Sequence, residues 1–202
     1  METKILTKKT IEHYETDPLG FWRGTFDHDV SQNYQALLGH LEHSNCQTLL
    51  DLGCGPGRDL KYFKQLGHHV IGLDGCESFC QMARDYSGCE VLQQDFIEIN
   101  LKENYFNGIF ANASLFHVPK INLPEVLAVL QRSLKQNGIL FSSNPRGDGE
   151  SINGSRYANL MELNEYQTIV EMCGFELIDH YYRPQSVPLE NRPWLACVFK
   201  KT

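Results

Sequence analysis

The stretch Leu49-Leu50-Asp51-Leu52-Gly53-Cys54-Gly55-Pro56-Gly57-Arg58-Asp59-Leu60 constrains the fold of this chain more than any other. An apolar run that meets three alternate glycines reads as a buried strand breaking into a tight turn, and Arg58 onward reads as a helix. Glycines in such a turn clear Cβ atoms from the path of a ligand. The N–H groups of the turn and of the helix N-terminus attract an anion. Asp51, at the strand's end, sets a carboxylate beside them. Together these groups suit a ligand that carries both signs of charge. A dinucleotide-binding turn needs its third glycine three positions after the second. Here Gly57 lies two after Gly55, and Arg58 stands where that pattern needs glycine.

Downstream residues complete a βαβ unit. Leu60, Phe63 and Leu66 recur at helical spacing, and Gly67 supplies a C-terminal stop. The short apolar strand His69–Leu73 then ends in Asp74. In nucleotide-binding sheets an acid at this place accepts hydrogen bonds from ribose hydroxyls. A third strand, Val91-Leu92-Gln93-Gln94, ends in Asp95 and Phe96. Taken in order, the three motifs resemble the signatures of the class I S-adenosylmethionine (SAM) dependent methyltransferases, whose first motif is hydrophobic-hydrophobic-Asp-hydrophobic-Gly-x-Gly-x-Gly. The resemblance implies that SAM is the methyl donor and S-adenosylhomocysteine the product. It implies that Asp51, Gly53, Gly55 and Gly57 hold the methionine end and Asp74 the ribose. Asp95 would contact the adenine amino group, Phe96 would pack on the ring, and Asn112 at the end of the fourth strand would also bind the cofactor.

The second half continues the alternation. Gly108–Ala113 is an expected fourth strand. Asn122 and Pro124 open a helix whose pattern Val126, Leu127, Val129, Leu130, Leu134 runs to Gly138. Ile139–Ser143 follows as a fifth strand, then a helix near Leu163–Cys173 and strands at Phe175–Tyr182 and Leu195–Lys200. The implied fold is a single Rossmann-like α/β domain. Its seven-stranded, mostly parallel sheet has the order 3-2-1-4-5-7-6, an antiparallel last strand and helices on both faces. Residues 1–44 are expected to form a helical lid segment and 45–202 the core. Asn107 departs from the family pattern, which usually has Asp at this strand entrance.

Composition narrows the class. A chain of 202 residues with net charge −7 suits one α/β domain and opposes a nucleic-acid phosphate surface. No apolar run reaches membrane-spanning length. Seven cysteines without a Cys-x-x-Cys pair suit reduced thiols and a cytoplasmic location. No metal-ligand spacing occurs, so no metal is expected. The expected partners are a small-molecule acceptor and, for quaternary state, either none or a second copy.

Three segments flank the expected site. In the N-terminal segment Tyr14, Trp22 and Arg23 are candidates to cover the sulfonium or grip a carboxylate, since an aromatic face attracts a cation. His28 from the same segment is a candidate catalytic group. After the fourth strand, His117 in Leu115-Phe116-His117-Val118 is the leading candidate base or acceptor-orienting donor. After the fifth strand, Asn144–Tyr157 reads as a mobile glycine-rich loop. Arg146, Arg156 and Tyr157 there, with Arg183, would line an acceptor pocket. Guanidinium groups bind carboxylates through paired hydrogen bonds, so a small carboxylate-bearing acceptor, methylated on O, N or S, is expected. Two other classes stay open, a SAM-binding protein without catalysis and a nicotinamide-dependent oxidoreductase, which the glycine spacing disfavours; a protein or nucleic-acid methyltransferase is the alternative within the class.

Overall fold

Neighbouring residues on the central strands go to opposite faces of one sheet in the computed structural model, which describes residues 2–42 and 46–202. Leu50, Leu52, Ile71, Leu73, Ile109 and Leu140 enter one apolar cluster. Leu49, Val70, Phe110, Ile139 and Phe141 enter the other. A strand buried on both faces reads as a continuous apolar run, and this explains the unbroken hydrophobicity of these segments.

Seven strands form the sheet: β1 (Thr48–Leu52), β2 (His69–Asp74), β3 (Glu90–Gln93), β4 (Phe106–Asn112), β5 (Leu134–Pro145), β8 (Phe175–Arg183) and β9 (Trp194–Lys201). Their spatial order is β3-β2-β1-β4-β5-β9-β8. Counted along the chain without the separate hairpin, this is the expected 3-2-1-4-5-7-6. The first five pair in parallel, and β9 runs antiparallel to both β5 and β8. Helices α3 (Ser31–Leu38), α4 (Arg58–Gln65) and α5 (Glu77–Ser87) supply one face, and α6 (Leu123–Ser133) and α7 (Leu163–Glu171) the other. The winding reverses between β1 and β4, and this leaves a crevice at their carboxyl ends.

The structure corrects two expected elements. Helix α6 ends at Ser133, and Leu134 already belongs to β5, with a register shift between the Phe106 and Gly108 pairings. The expected mobile loop contains a hairpin, β6 (Gly149–Asn153) and β7 (Arg156–Leu160). Its inner side, Tyr157 and Asn159, is buried, and the Tyr157 N–H donates to Thr10 Oγ1 at 3.0 Å. Thr10 lies on α1 (Glu2–Glu15), which with α2 (Pro18–Thr25) forms a roof over the crevice. The expected segment boundary at residues 44 and 45 lies outside the described residues.

Asn107 does at the strand entrance what the usual Asp would do by shape. Its Oδ1 accepts from the Thr48 N–H and from Lys135 Nζ, each at 3.0 Å, and so ties β1, β4 and β5 together.

Candidate active site

The glycine turn is built around two close approaches. Gly53 has φ +74°, and a Cβ there would lie 2.4 Å from the Ser114 Cβ, so this position faces the crevice with backbone alone. Gly57, at φ +96°, has a different task from the one expected. A Cβ on it would meet the Ala83 Cα at 2.8 Å, so the residue lets α4 pack on α5. It lines neither cavity of the site.

A cavity of about 80 Å³ sits at the crevice, lined by Gly53, Gly55, Asp74, Asp95, Phe96, Ser114 and His117 from the core. Residues Thr7, Thr10, Ile11, Tyr14 and Phe21 close it from the roof. Asp74 receives the Gly55 N–H on one carboxylate oxygen and the Cys76 N–H on the other, both at 2.9 Å. Burial outweighs these donors and pushes its pKa up to about 6. Asp51 lies beneath the turn, 2% exposed, with Oδ2 lacking a partner. Desolvation, then the neighbouring Asp59, raises its pKa. Asp95 accepts from the Ile97 N–H at 3.2 Å and, on Oδ2, from Thr7 Oγ1 at 2.6 Å.

These residues fit a SAM molecule. Ser114 Oγ lines the first cavity buried without a partner and can bond a charged methionine end, and Asp51, which lines neither cavity, keeps a buried partnerless Oδ2 beneath the turn. The Asp74 oxygens keep lone pairs for ribose hydroxyls. The cavity under the roof is smaller than the hundreds of Å³ typical of ligand sites, and Thr7 occupies one Asp95 oxygen.

A second cavity of about 880 Å³ continues from the same spot and shares Tyr14, Phe21, Gly53, Gly55 and Ala113 with the first. Its walls carry Trp22, His28, Asn112, Arg156, Arg183 and Trp194. Trp22 packs edge-on to Tyr86 with ring centroids 4.9 Å apart. His28 is exposed at the rim and touches only this cavity, whereas His117 touches only the first.

His117 is buried and fixed on both sides. Its Nδ1 lies 2.7 Å from the Tyr157 carbonyl oxygen, and its Nε2 lies 2.8 Å from the Tyr14 hydroxyl. A carbonyl only accepts, so Nδ1 carries the hydrogen and Nε2 accepts a hydrogen bond from the Tyr14 hydroxyl. Desolvation, reinforced by Arg156 and His13, lowers the imidazole pKa to about 4. Tyr14 has its pKa raised by burial, and Arg156 beside its hydroxyl opposes that shift.

The arginines divide into paired and unpaired. Arg58 is held by Asp59 at 2.7 Å and by the Thr25 carbonyl at 2.8 Å. Arg183 is half-buried over the Trp194 ring at 5.6 Å, and its Nε is buried without a partner. Burial lowers its pKa, and no carboxylate offsets this.

Three expected substrate residues are placed elsewhere. Arg146 spends its guanidinium on Glu162 and on the Leu189 and Arg192 carbonyls, over the Tyr182 ring at 4.4 Å. It is a strut between β5, α7 and the β8–β9 connection, away from both cavities. Arg23 points to solvent, because α2 turns its other side to the roof. Tyr157 faces inward, where its hydroxyl donates to Glu150 and accepts from the Lys120 N–H, so it serves the site through its carbonyl alone. Sequence reasoning missed Ser114, Phe21 and Thr7. The first is one serine past a strand, and the other two reach the site only through the placement of the roof.

Comparisons agree with this geometry. Residues 50–142 match the family model described as "Methyltransferase domain". The malonyl-[acyl-carrier protein] O-methyltransferase of Buchnera aphidicola is 25% identical over 189 residues, 90% of this chain and 68% of that protein. The 1,6-didemethyltoxoflavin-N1-methyltransferase of Burkholderia thailandensis was solved with 1,6-didemethyltoxoflavin and S-adenosylhomocysteine. It superimposes with a TM-score of 0.77 at 21% identity, covering 98% of this chain and 88% of that one. Among the described residues no helix is long and apolar enough to cross a membrane. Residues 50–142 are thus matched as a methyltransferase domain on a fold shared with solved SAM-dependent methyltransferases, and the findings together support a SAM-dependent methyltransferase enzyme.

Proposed function

We propose that the enzyme methylates a small, carboxylate-bearing molecule seated in the second cavity. One observation carries the reading: Arg183 lines that cavity with a buried, partnerless Nε, in a chain whose net charge is −7. An unpaired cation withdrawn from water is costly, and a ligand carboxylate is the group that would satisfy it. Arg156 lines the same cavity beside Tyr14 and adds a second positive site. The Burkholderia neighbour was solved with 1,6-didemethyltoxoflavin, a small-molecule acceptor, which supports the reading.

In this reading Asp51, Gly53, Gly55, Asp74, Asp95, Phe96 and Asn112 hold SAM, with Gly57 shaping the turn. Bound SAM supplies an electrophilic methyl carbon on a sulfonium. The chain's own contribution is to bind, orient and exclude water, because in-line displacement depends on the reacting atoms being held close and aligned. Tyr14, Phe21 and Trp22 roof the reacting region, and α1 and α2 serve as its lid.

Calorimetric titration with SAM and S-adenosylhomocysteine, followed by incubation of the enzyme with methyl-labelled SAM and a small-molecule extract, tests the proposal. Label should enter acidic small molecules, and Arg183→Gln should reduce it. Transfer to protein or nucleic acid instead, or only to cationic compounds, would refute it.

A further inference from the structure

We propose that Asn153, at the tip of the β6–β7 hairpin, is a self-modifying site: it loses ammonia spontaneously, and the carboxylate it becomes draws the Arg156 guanidinium away from the second cavity. The modification stands on the hairpin geometry alone. Its effect on binding rests on the proposed use of that cavity.

The chain contains the pairs Asn107-Gly108, Asn137-Gly138 and Asn153-Gly154. An asparagine cyclises when the backbone nitrogen of the next residue reaches its side-chain carbonyl carbon, and a following glycine sets no side chain in the way. Asn107 is held in place. Its Oδ1 accepts from the Thr48 N–H and from Lys135 Nζ, each at 3.0 Å, and Gly108 is buried in β4 between β1 and β5. Asn137 is exposed, yet Gly138 is buried, and a Cβ there would lie 2.9 Å from both the Leu134 Cδ2 and the Lys135 carbonyl oxygen. The third pair is open. Asn153 and Gly154 are both exposed, and nothing lies within 4 Å of a Cβ built on Gly154. Among the described residues neither the Asn153 side-chain amide nor the Gly154 N–H has a hydrogen-bond partner. Gly154, at φ +65°, opens the two-residue turn between Asn153 and Arg156, in the class of hairpin turn that places glycine first.

In the first step the Gly154 nitrogen gives its proton to solvent and bonds to Asn153 Cγ, while the side-chain nitrogen takes up a proton and leaves as ammonia. A water molecule then opens the cyclic imide. Attack at Cγ gives aspartate, and attack at the main-chain carbonyl gives isoaspartate. Either product carries one new carboxylate at the turn, and neither step needs an oxidant or a reductant. Asn153 and Arg156 are cross-strand partners, and the Cβ atoms of such a pair lie about 4.5–5.5 Å apart. Arg156 lines the second cavity and makes no salt bridge among the described residues. The new carboxylate is therefore the opposite charge its guanidinium lacks, and pairing turns the group toward the hairpin tip. Arg58 is already neutralised by Asp59, so the modified cavity holds an anion on Arg183 alone.

The test ages the isotope-labelled, S-adenosylhomocysteine-loaded enzyme in mildly alkaline buffer and follows peptide masses, the Arg156 Nε–H resonance and isophthalate affinity. Asn153 should convert at least about tenfold faster than Asn137 or Asn107, which must wait for local opening of the sheet. The Arg156 resonance should move in step with conversion and move back at high salt, because an exposed pair is screened. Asn153→Asp should show the moved resonance from the start, and Asn153→Ser should keep the original one throughout. Isophthalate should bind the aged enzyme about two- to fivefold more weakly, the equivalent of a surface ion pair. Conversion at Asn137 or Asn107 ahead of Asn153 overturns the modification. An Arg156 resonance that ignores conversion overturns the capture, as does undiminished isophthalate affinity in an enzyme whose fresh form binds it. If the fresh enzyme binds no isophthalate, the proposed function falls, and the masses and the resonance still decide this proposal.

Discussion

Asp74→Asn separates two roles that the wild-type carboxylate combines. The group accepts the Gly55 and Cys76 N–H bonds, yet burial raises its pKa from 3.8 to about 6. A shift of about two units disfavours the ionised form by roughly 3 kcal/mol in the empty site. Ribose hydroxyls donate to the ionised form, and a hydrogen bond to a charged group contributes about 1.5–3 kcal/mol. Affinity for SAM should therefore be flat above pH 7 and decline through pH 6. At pH 5 about a tenth of the sites are ionised, a penalty of roughly 1.4 kcal/mol, or tenfold. The sign for stability is opposite. A carboxyl whose folded pKa is raised stabilises the fold fully below about 4, and that contribution is lost as pH rises through 6. The asparagine should bind SAM about 1–3 kcal/mol more weakly at pH 8 and show neither pH dependence. Titration calorimetry from pH 5 to 8, with thermal melts alongside, reads both. Wild-type affinity that stays constant down to pH 5 would falsify the ribose assignment.

Three other perturbations test the architecture. Gly57→Ala should destabilise the protein by about 2–4 kcal/mol, combining left-handed strain with the clash at Ala83, and a thermal melt unchanged within a degree would refute that packing. Asn107→Ala should cost about 1–3 kcal/mol by orphaning the Thr48 N–H, whereas Asn107→Asp should be tolerated because Lys135 is already in place; chemical denaturation separates the two. Arg146→Ala should lower stability by about 1–3 kcal/mol and leave carboxylate binding intact, so an acceptor-affinity loss without destabilisation would return Arg146 to the pocket.

What was legible in the sequence was local or periodic. The strand, turn and helix of residues 49–65 and the strand-end acids Asp74 and Asp95 follow from apolar periods and glycine spacing, whereas the sheet order came from the family resemblance those motifs carry. The hairpin was hidden because β6, Gly149–Asn153, is almost wholly exposed and lacks alternation. It exists through its pairing with β7, whose Tyr157 and Asn159 are buried against elements distant in sequence. The arginines show the same limit. Arg146, Arg156 and Arg183 look alike in the chain, and only tertiary placement gives Glu162 to the first and leaves the third bare.

That difference between arginines is organised by a buried network on the far wall of the second cavity. The Tyr181 hydroxyl donates to Asn33 Oδ1, Asn33 Nδ2 donates to Asn112 Oδ1, and Asn112 Nδ2 approaches Asp59 at 3.4 Å. Asp59 closes the chain on Arg58 and Tyr34. The network thus joins α3, β4, β8 and α4 and neutralises one guanidinium with an internal carboxylate. Buried polar chains are stable only when every member is satisfied, so Arg58 is unavailable to a ligand. Arg183 leaves the same strand, β8, two residues beyond Tyr181, and has no such partner. The fold therefore supplies a carboxylate for one cation of the cavity and leaves another to be completed from outside. That selectivity distinguishes a binding wall from an ordinary charged surface.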